Sequence, residues 1–136
     1  MLKVTATAAQ PVVGLIGLVM ITLGLLFWSG NATWLVSLHM LLGLLLVALL
    51  WTLAIMGARA HVPAGLVVLG IVWGFVVPTL GLLQTGLLTG DLHWIVRATH
   101  LLVGLVAIGL AEGLAASIRR VSAVRPGGIP VSTLDA

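Results

Sequence analysis

The sequence predicts an all-α integral membrane protein, a bundle of four transmembrane helices. Of its 136 residues, 61% are hydrophobic and only 7% are charged, whereas a soluble domain carries about 25% charged residues. The apolar residues form four runs, each close to the roughly 20 residues that a spanning helix needs. These runs are apolar on every side, which excludes the alternating pattern of a transmembrane β-barrel.

The predicted helices cover, in chain order, about residues 10–29, 34–56, 63–84 and 93–117. Together they form one transmembrane domain over 10–117. The first run is kept as a helix because its apolar stretch is longer than that of a signal peptide and no small-x-small cleavage site follows it. Residues 1–9 are expected to form a short cytoplasmic N-terminus. Residues 118–136, rich in proline and glycine near their middle, are expected to form a flexible cytoplasmic tail.

The basic residues predict the orientation of the bundle. With four helices, both termini and the central connection share one side of the membrane, and most basic residues belong to that side: Lys3, Arg59, Arg119, Arg120 and Arg125. Arg97 alone belongs to the other side. The positive-inside rule therefore places the termini in the cytoplasm. We expect a multi-pass protein of a plasma (inner) membrane, of prokaryotic type because no organellar targeting segment is present.

Composition also excludes several classes of function. The chain has no cysteine, which rules out disulfides, cysteine-ligated iron–sulfur clusters and the covalent attachment of a c-type haem. Its basic residues are too few to indicate a nucleic-acid partner. Neither an activated nucleophile nor a pair of carboxylates is present, so no catalytic residue is assigned.

The two halves of the chain share a pattern that predicts two tandem two-helix repeats. Each half contains the five residues TLGLL near the end of its first helix, at 22–26 and 79–83. The second helix of each half opens with tryptophan and then carries a histidine followed four residues later by glycine: Trp34, His39 and Gly43, then Trp94, His100 and Gly104. Parallel repetition makes the second and fourth helices run in the same direction.

The repeat places His39 and His100 at one depth in the membrane, roughly 9–10 Å below the outer boundary at about 1.5 Å per residue. An ionisable side chain within a membrane helix is costly and suggests function. Two neutral imidazoles at equal depth on non-adjacent helices can ligate one haem b between them. His39 and His100 are therefore the predicted metal ligands.

Other residues fit the same cofactor. Only small residues allow the backbone to approach a porphyrin closely, and four glycines lie at the depth of the histidines or one turn beyond them: Gly24, Gly43, Gly81 and Gly104. Arg97 lies three residues before His100 and is placed to neutralise haem propionates. The alternative for Arg97 is an interfacial arginine paired with Asp91.

This arrangement resembles the four-helix haem core of membrane b-type cytochromes, and it is similar in plan to the halves of haem A synthase. The resemblance is architectural and covers about residues 10–117. It implies a single-haem b-type cytochrome, with a bis-histidine haem near the outer face, that serves as an electron-transfer subunit or relay. The cytochrome b family carries a second histidine on each ligand helix. Here those positions hold Thr52 or Leu53 and Gly113 or Leu114, so one haem is expected.

Two rival functions stay open. In the first, the chain is a non-haem structural or assembly subunit and the histidines join helices by hydrogen bonds. In the second, it is a haem-handling or quinone-reducing membrane enzyme, with a quinone as a further cofactor. The expected partners are the lipid bilayer and a redox partner or larger membrane complex, and a homo-oligomer is left open. Glu112, the acid within the fourth helix, is expected to pair with Arg59, His61 or Arg119.

Overall fold

The structure, a computed structural model, describes residues 2–123, with side chains from Thr5 onward. Its four helices are α1 (Leu2–Trp28), α2 (Val36–Arg59), α3 (Ala64–Leu83) and α4 (His93–Ala123). Two 3-10 turns, Thr33–Leu35 and Gln84–Gly86, lie in the α1–α2 and α3–α4 connections. The described residues contain no strand, and all four helices are long and apolar enough to cross a membrane. The predicted all-α fold, with four helices long and apolar enough to span a membrane, is confirmed.

Both terminal helices are longer than hydropathy predicted. α1 begins at Leu2 rather than near residue 10, and Ala6 is fully buried. α4 continues to Ala123, so the prediction of a flexible tail is wrong for residues 118–123, where Ile118 is fully buried. An apolar run marks only the part of a helix that is apolar all round, whereas an amphipathic turn beyond it still packs on one face. The rest of the predicted tail lies outside the described residues.

α2 and α4 form the centre of the bundle. Each packs against all three other helices, whereas α1 and α3, within the described residues, make no contact with each other. Because short connections join antiparallel neighbours, the α1–α2 and α3–α4 connections lie at one end, which we call the distal end. The α2–α3 connection and the outer ends of α1 and α4 lie at the proximal end. The two helices that carry His39 and His100 therefore face each other across the bundle.

The side chains that fill the bundle concentrate in its proximal half. The largest of those that are fully buried are Val13, Leu50, Leu53, Leu114 and Ile118. Alanines on the inward face of α4 complete this core and let the other helices approach closely. The proximal half is thus packed with side chains, whereas none of the largest fully buried side chains lies in the distal half.

Three of the glycines are contact points between helices. A Cβ added at Gly17 would lie 2.9 Å from Cδ1 of Ile108, and one added at Gly70 would lie 2.9 Å from Cδ1 of Leu114. At Gly74 an added Cβ would overlap the indole of Trp51. These three glycines serve helix packing, as small residues do in membrane bundles.

Two half-buried tryptophans donate hydrogen bonds to the backbone of neighbouring helices. Trp51 Nε1 donates to the carbonyl of Ile71 at 3.1 Å, and Trp73 Nε1 donates to the carbonyl of Val103 at 2.9 Å. An indole N–H in an apolar medium needs such a partner. The first bond joins α2 to α3 and the second joins α3 to α4.

α1 and α2 end with the same hydrogen-bonding pattern. Beyond α1 the N–H of Asn31 donates to the Leu26 carbonyl at 2.8 Å, and beyond α2 the equivalent bond, donated by Val62, measures 2.9 Å. This pattern needs a residue with positive φ one position earlier. That residue is Gly30 (φ 78°) after α1 but His61 (φ 61°) after α2.

Candidate functional site

A cavity of about 500 Å³ occupies the distal half of the bundle and is lined by all four helices. Its volume falls within the range of cofactor and ligand sites, about 300–1,000 Å³. The seven residues that the sequence indicated as ligands or cofactor contacts all line it: Gly24, His39, Gly43, Gly81, Arg97, His100 and Gly104. Residues from four separate helices thus meet at one place.

The two histidines face each other within this cavity. The ring centroids of His39 and His100 are 6.3 Å apart, with 45° between the ring planes. Phe27 packs edge-on against the ring of His39, with a centroid distance of 5.3 Å. α2 and α4 supply the two imidazoles, and their contact across the centre of the bundle sets this separation.

Neither imidazole makes a hydrogen bond. In both rings Nδ1 is enclosed by the protein and has no hydrogen-bond partner. This leaves Nε2 of each ring as the nitrogen open to the cavity. Buried polar atoms in proteins are nearly always paired, and an unpaired one calls for an explanation. Two such atoms on facing rings do not fit a pair of histidines that holds helices together by hydrogen bonds.

The separation of the rings suits two ligands on opposite faces of one metal ion. Bonds from a metal to an imidazole nitrogen are about 2 Å long, so two imidazoles bound to one ion have ring centroids roughly 6 Å apart. His39 and His100 already have this spacing. They meet as a pair, since residues 2–123 hold no group of three or more His, Cys, Asp or Glu side chains that could bind a metal ion. Any metal here would need most of its ligands from a cofactor.

The four cavity glycines fall into two kinds. A Cβ added at Gly24 or Gly104 would meet no protein atom within 4 Å, so at these positions the backbone borders open space. Gly81 lies close to His100, since an added Cβ would be 3.4 Å from its Cε1. One added at Gly43 would be 3.3 Å from Cε of Met20. Gly24 and Gly104 give the cavity walls on which a flat cofactor could lie against the backbone.

The mouth of the cavity contains two residues that the sequence did not single out as binding residues. Gln84 and Thr85, in the 3-10 turn after α3, line it beside Arg97 and beside His93 at the start of α4. His93 Nδ1 lies 3.1 Å from the Leu87 carbonyl, within hydrogen-bonding distance. The TLGLL segments hold a signal for the two missed residues, because Gln84 and Thr85 directly follow the second one.

Residues that line the cavity occur in pairs at constant spacing in the sequence. The pairs Gly24/Gly81, Phe27/Gln84 and Trp28/Thr85 are each 57 residues apart, and the pairs Val36/Arg97, His39/His100 and Gly43/Gly104 are each 61 residues apart. The first group precedes the distal connections and the second follows them. Corresponding positions of the two halves therefore form opposite walls of one cavity.

Leucines fill the bundle on the proximal side of the cavity. Leu53 is 1% exposed and Leu114 is fully buried, and these are two of the positions at which the cytochrome b family would carry further ligands. Neither residue lines the cavity, and both belong to the packed proximal core.

The proximal polar residues do not pair as the sequence suggested. Arg119 donates a hydrogen bond to Oε1 of Gln10. Glu112 makes no ion pair with Arg59, His61 or Arg119 in the described part of the chain. A Cβ added at Gly14 would lie 3.7 Å from Oε1 of Glu112, so the carboxyl group faces α1. Glu112 is not among the residues lining the cavity.

Comparison of the chain with protein-family models, with curated proteins and with solved structures finds no match.

Proposed function

We propose that the chain is a b-type membrane cytochrome that holds one haem between His39 and His100. The observation that carries this proposal is the pair of facing imidazoles, 6.3 Å apart and without hydrogen bonds, in a cavity of about 500 Å³. A haem supplies four nitrogen ligands of its own, so the protein needs to add only the two axial ones. The residues present fit that requirement.

In this proposal each lining residue has a defined task. His39 and His100 bind through Nε2, and Gly24 and Gly104 let the flat ring lie against the backbone. Gly43 and Gly81 keep the backbone beside the ligands clear, and Arg97 offers its guanidinium to anionic groups at the mouth. A haem bound by two histidines supplies one-electron transfer and has no open coordination position for a substrate. An electron-transfer subunit or relay is therefore favoured over an enzyme.

The rival proposal of a structural subunit is less well supported. Histidines that join helices would donate to or accept from a polar group on a neighbouring helix. His39 and His100 do neither within the described residues, and the helices around them enclose a cavity instead of packing. The bundle is held together by its proximal core and does not need the histidines for cohesion.

The finer features of the architecture belong to the same proposal. The paired cavity positions support an origin as two tandem two-helix repeats, each of which gives one ligand. The basic residues at the proximal end support cytoplasmic termini and a distal end outside a prokaryotic inner membrane. The haem would then lie near the outer face, where a soluble carrier, a quinone or a larger membrane complex could exchange electrons with it.

The test is a reduced-minus-oxidised visible spectrum of the detergent-purified protein, recorded beside His39→Ala, His100→Ala and His61→Ala. We expect sharp reduced α and Soret bands in the wild type. Loss of either axial ligand should remove the haem or convert it to a five-coordinate species. His61→Ala should keep the wild-type spectrum, because His61 is exposed in the α2–α3 connection and does not line the cavity. A colourless wild type that stays haem-free after reconstitution with haemin would leave the structural subunit as the better account.

A further inference from the structure

The polar side chains at the mouth of the cavity all belong to one half of the chain. Gln84, Thr85, His93 and Arg97 line the corner between the end of α3 and the start of α4. We call these four residues the polar corner. They provide a guanidinium, a carboxamide, a hydroxyl and an imidazole within one short stretch of chain. This corner can hydrogen-bond to an oxygen-rich group.

The corresponding positions of the first half are apolar or aromatic and line the same mouth. Phe27 stands where the second half has Gln84, and Val36 stands where it has Arg97. Trp28 corresponds to Thr85 in the same way. The cavity is therefore symmetric in its histidines and glycines but asymmetric at its mouth. A ligand with one polar edge meets favourable partners on one side only.

The charge at the mouth has a definite sign. Arg97 is exposed and makes no ion pair in the part of the chain that the structure describes, so the pairing with Asp91 that was its alternative role is absent. No aspartate or glutamate is among the residues lining the cavity. A guanidinium at the edge of an apolar cavity attracts a carboxylate or phosphate more strongly than it would in water. The polar corner is thus suited to an anionic group.

We infer that the cavity selects a flat amphiphile with an anionic edge and fixes that edge in the polar corner. This inference rests on the proposed function: the ligand is a haem whose two propionates lie against Arg97, Gln84 and Thr85. Phe27 and Val36 offer no hydrogen-bond donor on the opposite wall, so the same carboxylates are disfavoured there, because a buried anion without a partner is costly. The two halves share the axial ligands, but only the second half binds the propionates.

Esterified haem tests this inference. Apoprotein in detergent is titrated with haem b and with haem b dimethyl ester, in which both propionates are neutral, and binding is followed by the Soret band. We expect the wild type to bind haem at least about tenfold more tightly than the ester, since charge-assisted hydrogen bonds are lost with the ester. Arg97→Gln should remove most of this preference. Arg120→Gln, which changes an arginine at the other end of the same helix, should keep it.

The outcomes separate this inference from the function on which it rests. Equal affinity of the wild type for haem and ester, or a preference that survives in Arg97→Gln, would overturn the inference and leave the cytochrome proposal standing. A wild type that binds neither compound would overturn both. Gln84→Leu is the second variant, and a part of the preference should be lost there while the Soret maximum of bound haem is unchanged.

Moving the charge to the other half gives the sharpest version of the test. Arg97→Val combined with Val36→Arg places the guanidinium at the corresponding position of the first half. We expect this double variant to bind haem more weakly than the wild type, by about tenfold or more, because Phe27 and Trp28 do not supply the carboxamide and hydroxyl that Gln84 and Thr85 place beside Arg97. Full recovery of the wild-type preference for haem over the ester would show that position within the mouth does not matter, contrary to the inference.

Discussion

Two enclosed imidazole nitrogens without hydrogen bonds are costly in an apolar bundle. An unpaired polar group in such surroundings costs on the order of 1–3 kcal/mol, and the half-buried His39 and His100 each carry one, at Nδ1. A metal bound through Nε2 would leave Nδ1 unpaired, so it would compensate this cost through the strength of its own bonds. The glycines of the bundle also differ in their surroundings. Gly24 and Gly104 border open space, whereas Gly17, Gly70 and Gly74 touch neighbouring side chains.

Gly104 lines the cavity and Gly109 does not, so we predict different effects of substitution at these two glycines of α4. Gly104→Leu should fill part of the cavity and weaken haem binding at least about tenfold, as overpacking of a fitted site does. Gly109→Leu should leave binding unchanged, because Gly109 has the same open surroundings but does not line the cavity. Haem titrations of both apoproteins check this. Equal loss in the two variants would indicate a general effect of leucine on α4 and would contradict the role assigned to Gly104.

Among the helices, the ends of α1 and α2 show how one hydrogen-bonding pattern can be formed by different residues. Both ends need a residue in the left-handed region of φ, which glycine adopts freely and other residues adopt at a cost of about 1 kcal/mol or more. Gly30 meets the requirement after α1, and His61 meets it after α2 at φ 61°. The side chain of His61 is exposed, so no burial offsets the strain.

His61→Gly should therefore stabilise the protein, by about 1 kcal/mol. The measurement is the equilibrium unfolding of the purified protein in mixed micelles, followed by circular dichroism. His61→Ala is the control, because alanine keeps the unfavourable φ and should give no gain. A destabilised His61→Gly variant would mean that the imidazole makes an interaction at the proximal end that outweighs the backbone strain.

Over the whole molecule, packing and space are divided between the two ends of the bundle. The buried side chains of Leu50, Leu53 and Leu114 fill the proximal half, and the distal half encloses the cavity. The proximal core can hold the helices together while the distal half keeps room for a ligand. Leu53 and Leu114, two of the positions at which the cytochrome b family carries further ligands, belong to this packed core.

The absence of cysteine from the chain allows a direct test of its orientation. Asn31→Cys and Thr89→Cys lie in the two distal connections, and His61→Cys lies in the proximal one. In intact cells we expect a membrane-impermeant maleimide to label both distal variants. His61→Cys should react only after permeabilisation, because basic residues are retained on the cytoplasmic side. Labelling of His61→Cys alone in intact cells would reverse the proposed orientation.

The sequence by itself determined the class of the fold, the number of helices and the residues worth examining as ligands. Apolar runs of spanning length admit few structures in lipid, because every backbone polar group must be paired within the segment. Hydropathy could not locate the ends of α1 and α4, since residues such as Ala6 and Ile118 are buried by contacts between helices and not by lipid. The predicted pairing of Glu112 with Arg59, His61 or Arg119 was wrong because the packing of the helices turns its carboxyl group toward α1.

Only the tertiary structure decided how those residues are grouped. A shared depth for His39 and His100 follows from counting residues, but their separation depends on how closely α2 and α4 cross, and side chains at the crossing set that distance. The sequence likewise shows glycines without showing which of them face a neighbour and which face open space. The asymmetry of the cavity mouth also depends on the tertiary structure. Phe27, Gln84 and Arg97 are far apart in the chain, and packing of the helices places them around the same cavity.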